Sequence, residues 1–258
     1  MSYPSLKITF LGTGTSSGVP MIGCDCEVCT SGNPKDKRLR SSILVQSSTT
    51  TIVVDSGPDF RQQMLRHDVK KLDAVLFTHS HKDHIAGLDD VRAYNYFQQS
   101  PMNIYGTEFT LGRIRTEFDY AFTGFKYPGV PSITTQVIDT KSFLVGDILI
   151  EPIPAWHLKM PVLGFRFGDF AYLTDVNRIE EPSKQKIKGS KVLVLNALRH
   201  EKHISHFTLQ EAIDLADELA IPTTYFTHLS HQMGLYGLIE AQLPGGRHLS
   251  YDGLEIYV

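Results

Sequence analysis

The chain has 258 residues, of which 41% are hydrophobic and 21% charged, and its formal net charge is -3 at pH 7. This composition is enough for a sizeable core, and it excludes the global basic field that a long nucleic-acid surface needs. Without such a field a small substrate is favoured, although a local basic patch stays possible. The sequence has no secretory signal pattern and no stretch near the roughly 18 apolar residues of a membrane span, so we expect a cytoplasmic protein.

Ten apolar runs predict β-strands. They are 6–11, 42–46, 51–55, 73–77, 147–153, 162–167, 170–174, 191–196, 223–227 and 254–258. Helices are predicted after Gly57-Pro58 through about His67, and near 88–98, 107–119 and 180–187. The clearest prediction is the helix over 208–219, where Thr208 and Glu211 have capping-box spacing. The sequence has no evident internal repeat and no long linker, so we expect one domain over 1–258. Strands that outnumber interleaved helices favour two packed sheets flanked by helices, a four-layer αββα sandwich of the α/β (α+β) class.

The segment from Gly12 to Pro20 follows the first predicted strand and, considered alone, is a glycine-rich turn. It is not a Walker loop, because no Gly-Lys-Ser/Thr follows, and its third glycine is one place late for a dinucleotide fingerprint. Cys24, Cys26 and Cys29 come next, and their odd number and short spacing argue against a disulfide framework. Three thiols at this spacing can wrap a tetrahedral ion if a fourth ligand is available, with a redox-reactive cluster as the alternative.

The run from Thr78 to His84, with the sequence THSHKDH, concentrates imidazoles and a carboxylate directly after a predicted strand. A buried unpaired histidine costs stability, whereas imidazole and carboxylate together suit Zn, Mn or Fe; a polar loop that is rich in histidine is the alternative. His79 and His81 are two apart, so in an extended segment their side chains point the same way. Other ligand-type residues also end apolar runs. These are His157, Asp175 and His228. Each alone is more typical of a hydrogen-bonded loop residue, but together they indicate a metal site.

These motifs together resemble the signature of the metallo-β-lactamase-fold hydrolases, a T-H-x-H-x-D-H loop followed by a histidine, an aspartate and a final histidine. The resemblance implies one metal ion held by His79, His81 and His157. It implies a second held by Asp83, His84 and His228, with Asp175 bridging the two. Asp55 matches the D-x-G turn of the family, which supports a ligating histidine through a hydrogen bond; a simple turn residue is the alternative.

The segment from Gly12 to Pro20 narrows the resemblance to the PhnP and tRNase Z branch, the phosphodiesterases of this fold. PhnP-like proteins close the cysteine cluster with a histidine three residues beyond the last active-site histidine, which implies a structural zinc held by Cys24, Cys26, Cys29 and His231. His206 matches the proposed proton donor of this branch, with a helix-start histidine without function as the alternative. Arg199, His200 and His203 are candidate substrate contacts, with ordinary surface residues as the alternative.

The resemblance therefore implies a binuclear phosphodiesterase for a small cyclic phosphodiester, either a phosphoribosyl cyclic phosphate or a 2′,3′-cyclic nucleotide. Attack by a metal hydroxide is expected, with His206 as general acid and Asp175 between the metals. The expected cofactors are two divalent ions, Zn or Mn or alternatively Fe, and one structural Zn; a homodimer is the family expectation. The alternatives are a tRNA 3′-processing endonuclease, for which the sequence lacks a long basic arm, and a non-catalytic metal- or nucleotide-binding protein. The irregular segment 123–131 is either a flap over the site or a surface connection.

Overall fold

The computed structural model describes residues 4–123 and 129–258. Residues 124–128, the centre of the segment considered as a flap, lie outside the described residues. The strands in chain order are β1 Lys7–Gly12, β2 Ser42–Gln46, β3 Thr51–Val54, β4 Ala74–Leu76, β5 Met102–Gly106, β6 Ile133–Val137, β7 Phe143–Val145, β8 Ile148–His157, β9 Met160–Phe167, β10 Phe170–Leu173, β11 Val192–Asn196, β12 Thr223–Thr227, β13 Arg247–Leu249 and β14 Glu255–Tyr257.

In the described part of the chain these strands form two seven-stranded sheets, ordered β14-β1-β2-β3-β4-β5-β6 and β7-β8-β9-β10-β11-β12-β13. Both sheets follow the same pattern along that order. Three antiparallel pairs come first, and three parallel pairs follow. Because parallel strands end at the same edge of a sheet, the loops that follow β3, β4, β10, β11 and β12 can meet.

The α-helices lie in the connections between strands. They are α1 Glu27–Thr30, α2 Phe60–Arg66, α3 Lys82–Ile85, α4 Arg92–Gln98, α5 Glu108–Glu117, α6 Asp119–Phe122, α7 Glu181–Ile187, α8 Leu209–Glu218 and α9 Tyr236–Glu240. The capping box at the start of α8 is present, because the Thr208 side chain accepts from the Glu211 amide and the Glu211 side chain accepts from the Thr208 amide. Within the described ranges, no helix combines the length and the apolar character needed to cross a bilayer.

Among the described residues, three large apolar layers hold the sheets and helices together. The central layer lies between the sheets and contains Phe10, Val54, Phe165 and Tyr172, all fully buried. A second layer packs α8 against the second sheet, and a third packs α2, α4 and α5 against the first. Helix, sheet, sheet and helix therefore succeed one another, and the predicted αββα sandwich is confirmed.

Candidate metal centre

Histidine and aspartate side chains from both sheets meet where β4, β8, β10 and β12 end. They are His79, His81, Asp83, His84, His157, Asp175 and His228, and we call them the His/Asp cluster. Asp83 and His84 lie in the short helix α3. The structure thus brings together every residue that was predicted to bind the catalytic metals.

Asp175 is the central carboxylate of the cluster, and its two oxygens face different histidines. Oδ1 lies 3.1 Å from His228 Nε2 and 3.4 Å from His84 Nε2. Oδ2 lies 3.8 Å from His79 Nε2. Thr174 fixes the carboxylate by donating its hydroxyl to Oδ1 at 2.7 Å. A carboxylate oriented in this way can contribute one oxygen to each of two cations.

The ligand atoms fall into overlapping groups whose members lie within 4.8 Å of one another. One group is Asp83, His84, Asp175 and His228, and another is His79, His81 and Asp175. His157 departs from the expected grouping, because its nitrogen falls in a third group with Asp175 and His206. Its ring nevertheless lies beside the first pair, with centroids 5.1 Å from His81 and 5.7 Å from His79.

The buried nitrogen atoms of the cluster show that these residues fit metal ions. The Nε2 atoms of His79, His84 and His228 are buried and have no hydrogen-bond partner. Leaving such an atom unsatisfied costs about 1–3 kcal/mol, so three of them at one point call for a ligand. Imidazole nitrogen with carboxylate oxygen is a donor set that Zn, Mn and Fe accept.

The electrostatics of the cluster also call for positive charge. Burial opposes the charged form of His84, yet Asp175 and Asp83 raise its pKa well above the ordinary value. Burial likewise opposes charge on His228, but the same carboxylates raise its pKa to about 9. By contrast, burial lowers the pKa of His79 well below its ordinary value. Asp83 and Asp175 therefore need positive charge beside them. Protons on the histidines provide this charge when no divalent metal is bound.

Asp55 orients two of the histidines through a short hydrogen-bond network. Its Oδ1 accepts from the Thr78 amide at 2.9 Å, and its Oδ2 accepts from the Thr78 hydroxyl at 2.8 Å and lies 2.7 Å from His84 Nδ1. Because the Thr78 hydroxyl donates to Asp55, it is the acceptor for His79 Nδ1 at 2.9 Å. Both imidazoles therefore carry Nδ1–H and direct a free Nε2 into the cluster.

The D-x-G turn that contains Asp55 is needed for close packing as well as for hydrogen bonding. Asp55 has a φ of 64°, in the left-handed region that aspartate tolerates better than most residues. A Cβ on Gly57 would lie 2.0 Å from the Asp83 carbonyl oxygen, so only glycine lets helix α3, which bears Asp83, approach this closely.

His206 lies inside the site, beside the metal-binding histidines. Its ring stacks on that of His228, with centroids 4.8 Å apart and planes at 22°, and lies 4.7 Å from the His157 ring. The preceding residue helps to orient His157, because the Ser205 carbonyl accepts from His157 Nδ1 at 2.9 Å. Burial, followed by the charge on His228, lowers the pKa of His206 to about 3.

The three candidate substrate contacts have different environments. Arg199 donates to Gln232 Oε1 at 2.6 Å, and His200 Nε2 donates to the Met233 carbonyl at 2.9 Å. These two residues thus tie their loop to the turn that follows His231. His203 lies at the site, with its ring 5.1 Å from that of His206.

A second set of metal-type ligands lies next to the first. Cys24, Cys26, Cys29 and His231, which we call the Cys/His cluster, have ligand atoms within 4.8 Å of one another. His231 Nδ1 lies 3.2 Å from Cys24 Sγ and 3.3 Å from Cys26 Sγ. These separations are close to the roughly 3.5 Å edge of a tetrahedron with ordinary zinc–sulfur and zinc–nitrogen bonds. A hydrogen bond from the Cys29 backbone, and then His231, lower the pKa of Cys26 to about 6. The chemistry of these donors fits zinc.

The glycine-rich N-terminal segment supports both clusters. Leu229, between His228 and Ser230, donates its amide to the Thr13 carbonyl at 2.9 Å and accepts from the Thr15 amide at 3.1 Å. The segment therefore pairs with the backbone that joins the last histidine of the His/Asp cluster to His231. Sequence reasoning assigned it no such contact.

Several supporting residues were missed. Thr78 and Thr174 each directly precede a predicted ligand, and this position in the sequence could have indicated their supporting role. The carbonyl of Ser205 gave no signal, because any residue type supplies a carbonyl. Asn196 gave no signal either, because it contacts the site only through the fold. Its side-chain Oδ1 accepts from the backbone amide of Val176, the residue after Asp175, at 2.8 Å.

Comparison with known proteins agrees with this geometry. Residues 50–229 match the β-lactamase superfamily domain. A solved structure of a diphosphatase from the PhnP family superposes with a TM-score of 0.91 and 38% identity, covering 97% of each chain. A ribonuclease Z from Methanococcus maripaludis is 28% identical over 87% of this chain and 88% of its own length.

An octanoyltransferase from Porphyromonas gingivalis is 38% identical over 98% of this chain. The chain spans 52% of the length of that protein, so the activity in that name belongs to a protein about twice as long. The matched fold, the assembled His/Asp cluster and the PhnP-family structure give one conclusion. The chain belongs to the PhnP family of the metallo-β-lactamase fold and is a metal-dependent hydrolase.

Proposed function

We propose that this protein is a binuclear phosphodiesterase that hydrolyses a small cyclic phosphodiester. The observation that carries the proposal is the orientation of Asp175, whose two oxygens face separate sets of histidine nitrogens. His79, His81 and His157 would hold one ion, Asp83, His84 and His228 the other, and Asp175 both. Two divalent ions, when bound, supply an activated water and stabilise the charge of an in-line displacement at phosphorus.

The residues around the cluster hold the ligands ready for these ions. Asp55 and Thr78 fix the rings of His84 and His79, and Ser205 fixes that of His157. Ligands that are held in place by such partners lose less conformational freedom when a metal binds. The Cys/His cluster would bind one structural zinc, since three thiolates and one imidazole leave no open position.

His206 would supply the proton that the leaving oxygen requires. In the protein without metal or substrate, burial and then the charge on His228 lower the pKa of His206 to about 3. The anionic phosphodiester would favour the imidazolium form, so we expect His206 to take up its proton together with the substrate. Its position between His157 and His228 places it beside both proposed metal sites.

A second candidate substrate is a diester of diphosphate. The similarity to a PhnP-family diphosphatase favours it, because two metals can also stabilise the charge on a phosphate leaving group. His206 would then matter less, since a phosphate leaves more readily without a proton than an alkoxide does.

The test is a substrate screen on protein loaded with Mn or Zn. The panel contains bis(p-nitrophenyl) phosphate, a cyclic ribose phosphate, 2′,3′-cyclic AMP, diadenosine diphosphate and precursor tRNA. Asp175→Asn protein, prepared in parallel, controls for contaminating hydrolases. Turnover of the cyclic substrates is expected. Turnover of diadenosine diphosphate alone would favour the second candidate, and cleavage of precursor tRNA alone would overturn both.

A further inference from the structure

Two exposed aliphatic residues are close in sequence to histidines of the otherwise polar site. Leu158 directly follows His157 and is 48% exposed, and Ile204 lies two residues before His206 and is 72% exposed. Both belong to the side of the site on which the proton donor lies. A single exposed aliphatic residue needs no explanation, but two at the same rim do.

One side chain holds these two residues near each other. Asn177 Oδ1 accepts from the Leu158 amide at 2.8 Å, and Asn177 Nδ2 donates to the Ile204 carbonyl at 2.9 Å. The two backbones are therefore within about 8 Å of each other. The backbone amide of Asn177 donates to the Trp156 carbonyl at 3.0 Å, and this bond fixes Asn177 to β8, the strand that carries His157.

The hairpin turn between β8 and β9 determines the backbone conformation of Leu158. His157 pairs with Met160, so Leu158 and Lys159 form a two-residue turn, and the φ of 56° at Leu158 is the left-handed conformation that such a turn requires. Leu158 therefore lies at the tip of the hairpin, directly after His157, with nearly half of its side chain exposed.

We propose that Leu158 and Ile204 form an apolar lip that contacts the nucleobase of the substrate. The inference rests on the proposed function and narrows it to phosphodiesters whose ribose carries a base. His206 delivers its proton to the leaving oxygen, so the sugar bearing that oxygen lies on this side of the cluster. The base attached to that sugar then covers the two aliphatic side chains, and removal of their surface from water favours binding.

The experiment compares 2′,3′-cyclic AMP with ribose 2,3-cyclic phosphate, which has the same phosphodiester and no base. Leu158→Asn, which suits the left-handed backbone, and Ile204→Ser are measured in metal-loaded protein. Each variant is expected to raise KM for 2′,3′-cyclic AMP about tenfold, with kcat and the KM for the ribose compound unchanged. Leu144→Ser is the control and should change neither KM, because Leu144 is exposed as well but pairs with Leu149, at the opposite end of β8 from His157.

Equal kcat/KM for the two compounds in the parent protein, or an equal rise of KM for both in the variants, would overturn the lip. If the parent hydrolyses neither compound, the proposed function fails. Binding of a nucleotide, measured by calorimetry, then tests the apolar lip separately. In that case adenosine 3′-monophosphate should bind the parent about tenfold more tightly than either variant. Equal affinities would rule the lip out.

Discussion

The His/Asp cluster and the Cys/His cluster are joined by Leu229 and Ser230, yet the chain assembles them by different means. The first draws its ligands from the ends of four strands in both sheets, and its rings are oriented by Asp55, Thr78 and Ser205. The second consists of one cysteine-rich loop and a histidine, with Cys24 and Cys26 partly exposed. The fold thus orients the ligands of the first cluster without a metal, whereas the second would contribute to local order mainly through the zinc proposed for it. Substitutions in the His/Asp cluster should therefore lower the activity of the protein, whereas substitutions in the Cys/His cluster should lower its stability.

The strongest test of this difference is Asp175→Asn. Asparagine tolerates the φ of 56° at this position, so the fold should be retained while the charge between the metals is lost. We expect turnover below about 10⁻⁴ of the parent rate, with less bound metal and a nearly unchanged Tm. Metal analysis and calorimetry measure these quantities, with the surface variant Asp147→Asn as the control. Activity above a tenth of the parent value would remove Asp175 from its proposed role.

The next largest effect is expected for His206→Ala. Loss of the proton donor should lower kcat by about 10²–10⁴-fold for substrates with an alkoxide leaving group, and much less for p-nitrophenyl esters. The bound metal should stay at the parent level. His248→Ala removes an imidazole from β13 and serves as the control. Equal losses on good and poor leaving groups would argue against proton donation.

Asp55→Asn tests whether orientation of the ligands matters. The amide keeps the shape of the carboxylate but cannot hold His84 Nδ1–H as strongly, so metal affinity should fall about 10–100-fold. Competition with a chelator measures the affinity, and Asp59→Asn, a nearby change of the same type, is the control. Unchanged affinity would make Asp55 a turn residue only.

Cys24→Ser should lower stability and zinc content, in contrast to Asp175→Asn, which should lower activity. One equivalent of zinc should be lost and Tm should fall by at least about 5 °C, while metals in the His/Asp cluster remain. Elemental analysis and thermal unfolding follow both quantities, with Ser31→Ala as a control in the same loop. Full zinc content in the variant would contradict a structural site.

The smallest expected effect is the pH dependence of thiol reactivity in metal-free protein. The pKa of Cys26 is lowered to about 6 by the Cys29 backbone and His231, whereas burial raises that of Cys29 to about 11. Cys26 is therefore a thiolate at pH 7 and becomes protonated as the pH falls through 6. Iodoacetamide labelling of Cys26 should be half-maximal near pH 6, with Cys29 unlabelled at pH 8. Preferential labelling of Cys29 would show that the loop is arranged differently without metal.

Local pattern predicted much of the fold, because all ten predicted strands are present. It missed β5, β6, β7 and β13. The strands β7 and β13 are three residues long, and β6 is largely polar and exposed, so they owe their conformation to neighbouring strands and not to a hydrophobic pattern.

For the site, the motifs identified the ligands, but not the partners that orient them. A carbonyl such as that of Ser205 has no signature in sequence, and Asn177 acts only through contacts between distant segments. The single-domain organisation, the homodimer and the cytoplasmic location stay predictions.

The shared pairing pattern of the two sheets makes β3 and β10 topological counterparts, since each is the strand at which antiparallel pairing changes to parallel. Asp55 follows β3 and Asp175 follows β10, both have a left-handed backbone, and each accepts a threonine hydroxyl. The two sheets thus place an aspartate of similar backbone conformation at corresponding positions, a correspondence that the sequence does not reveal. In one half the aspartate holds His84 by Nδ1, and in the other it faces Nε2 of the same ring. The single ring of His84 therefore links the first sheet to the second, because it lies between carboxylates that occupy corresponding positions in the two sheets.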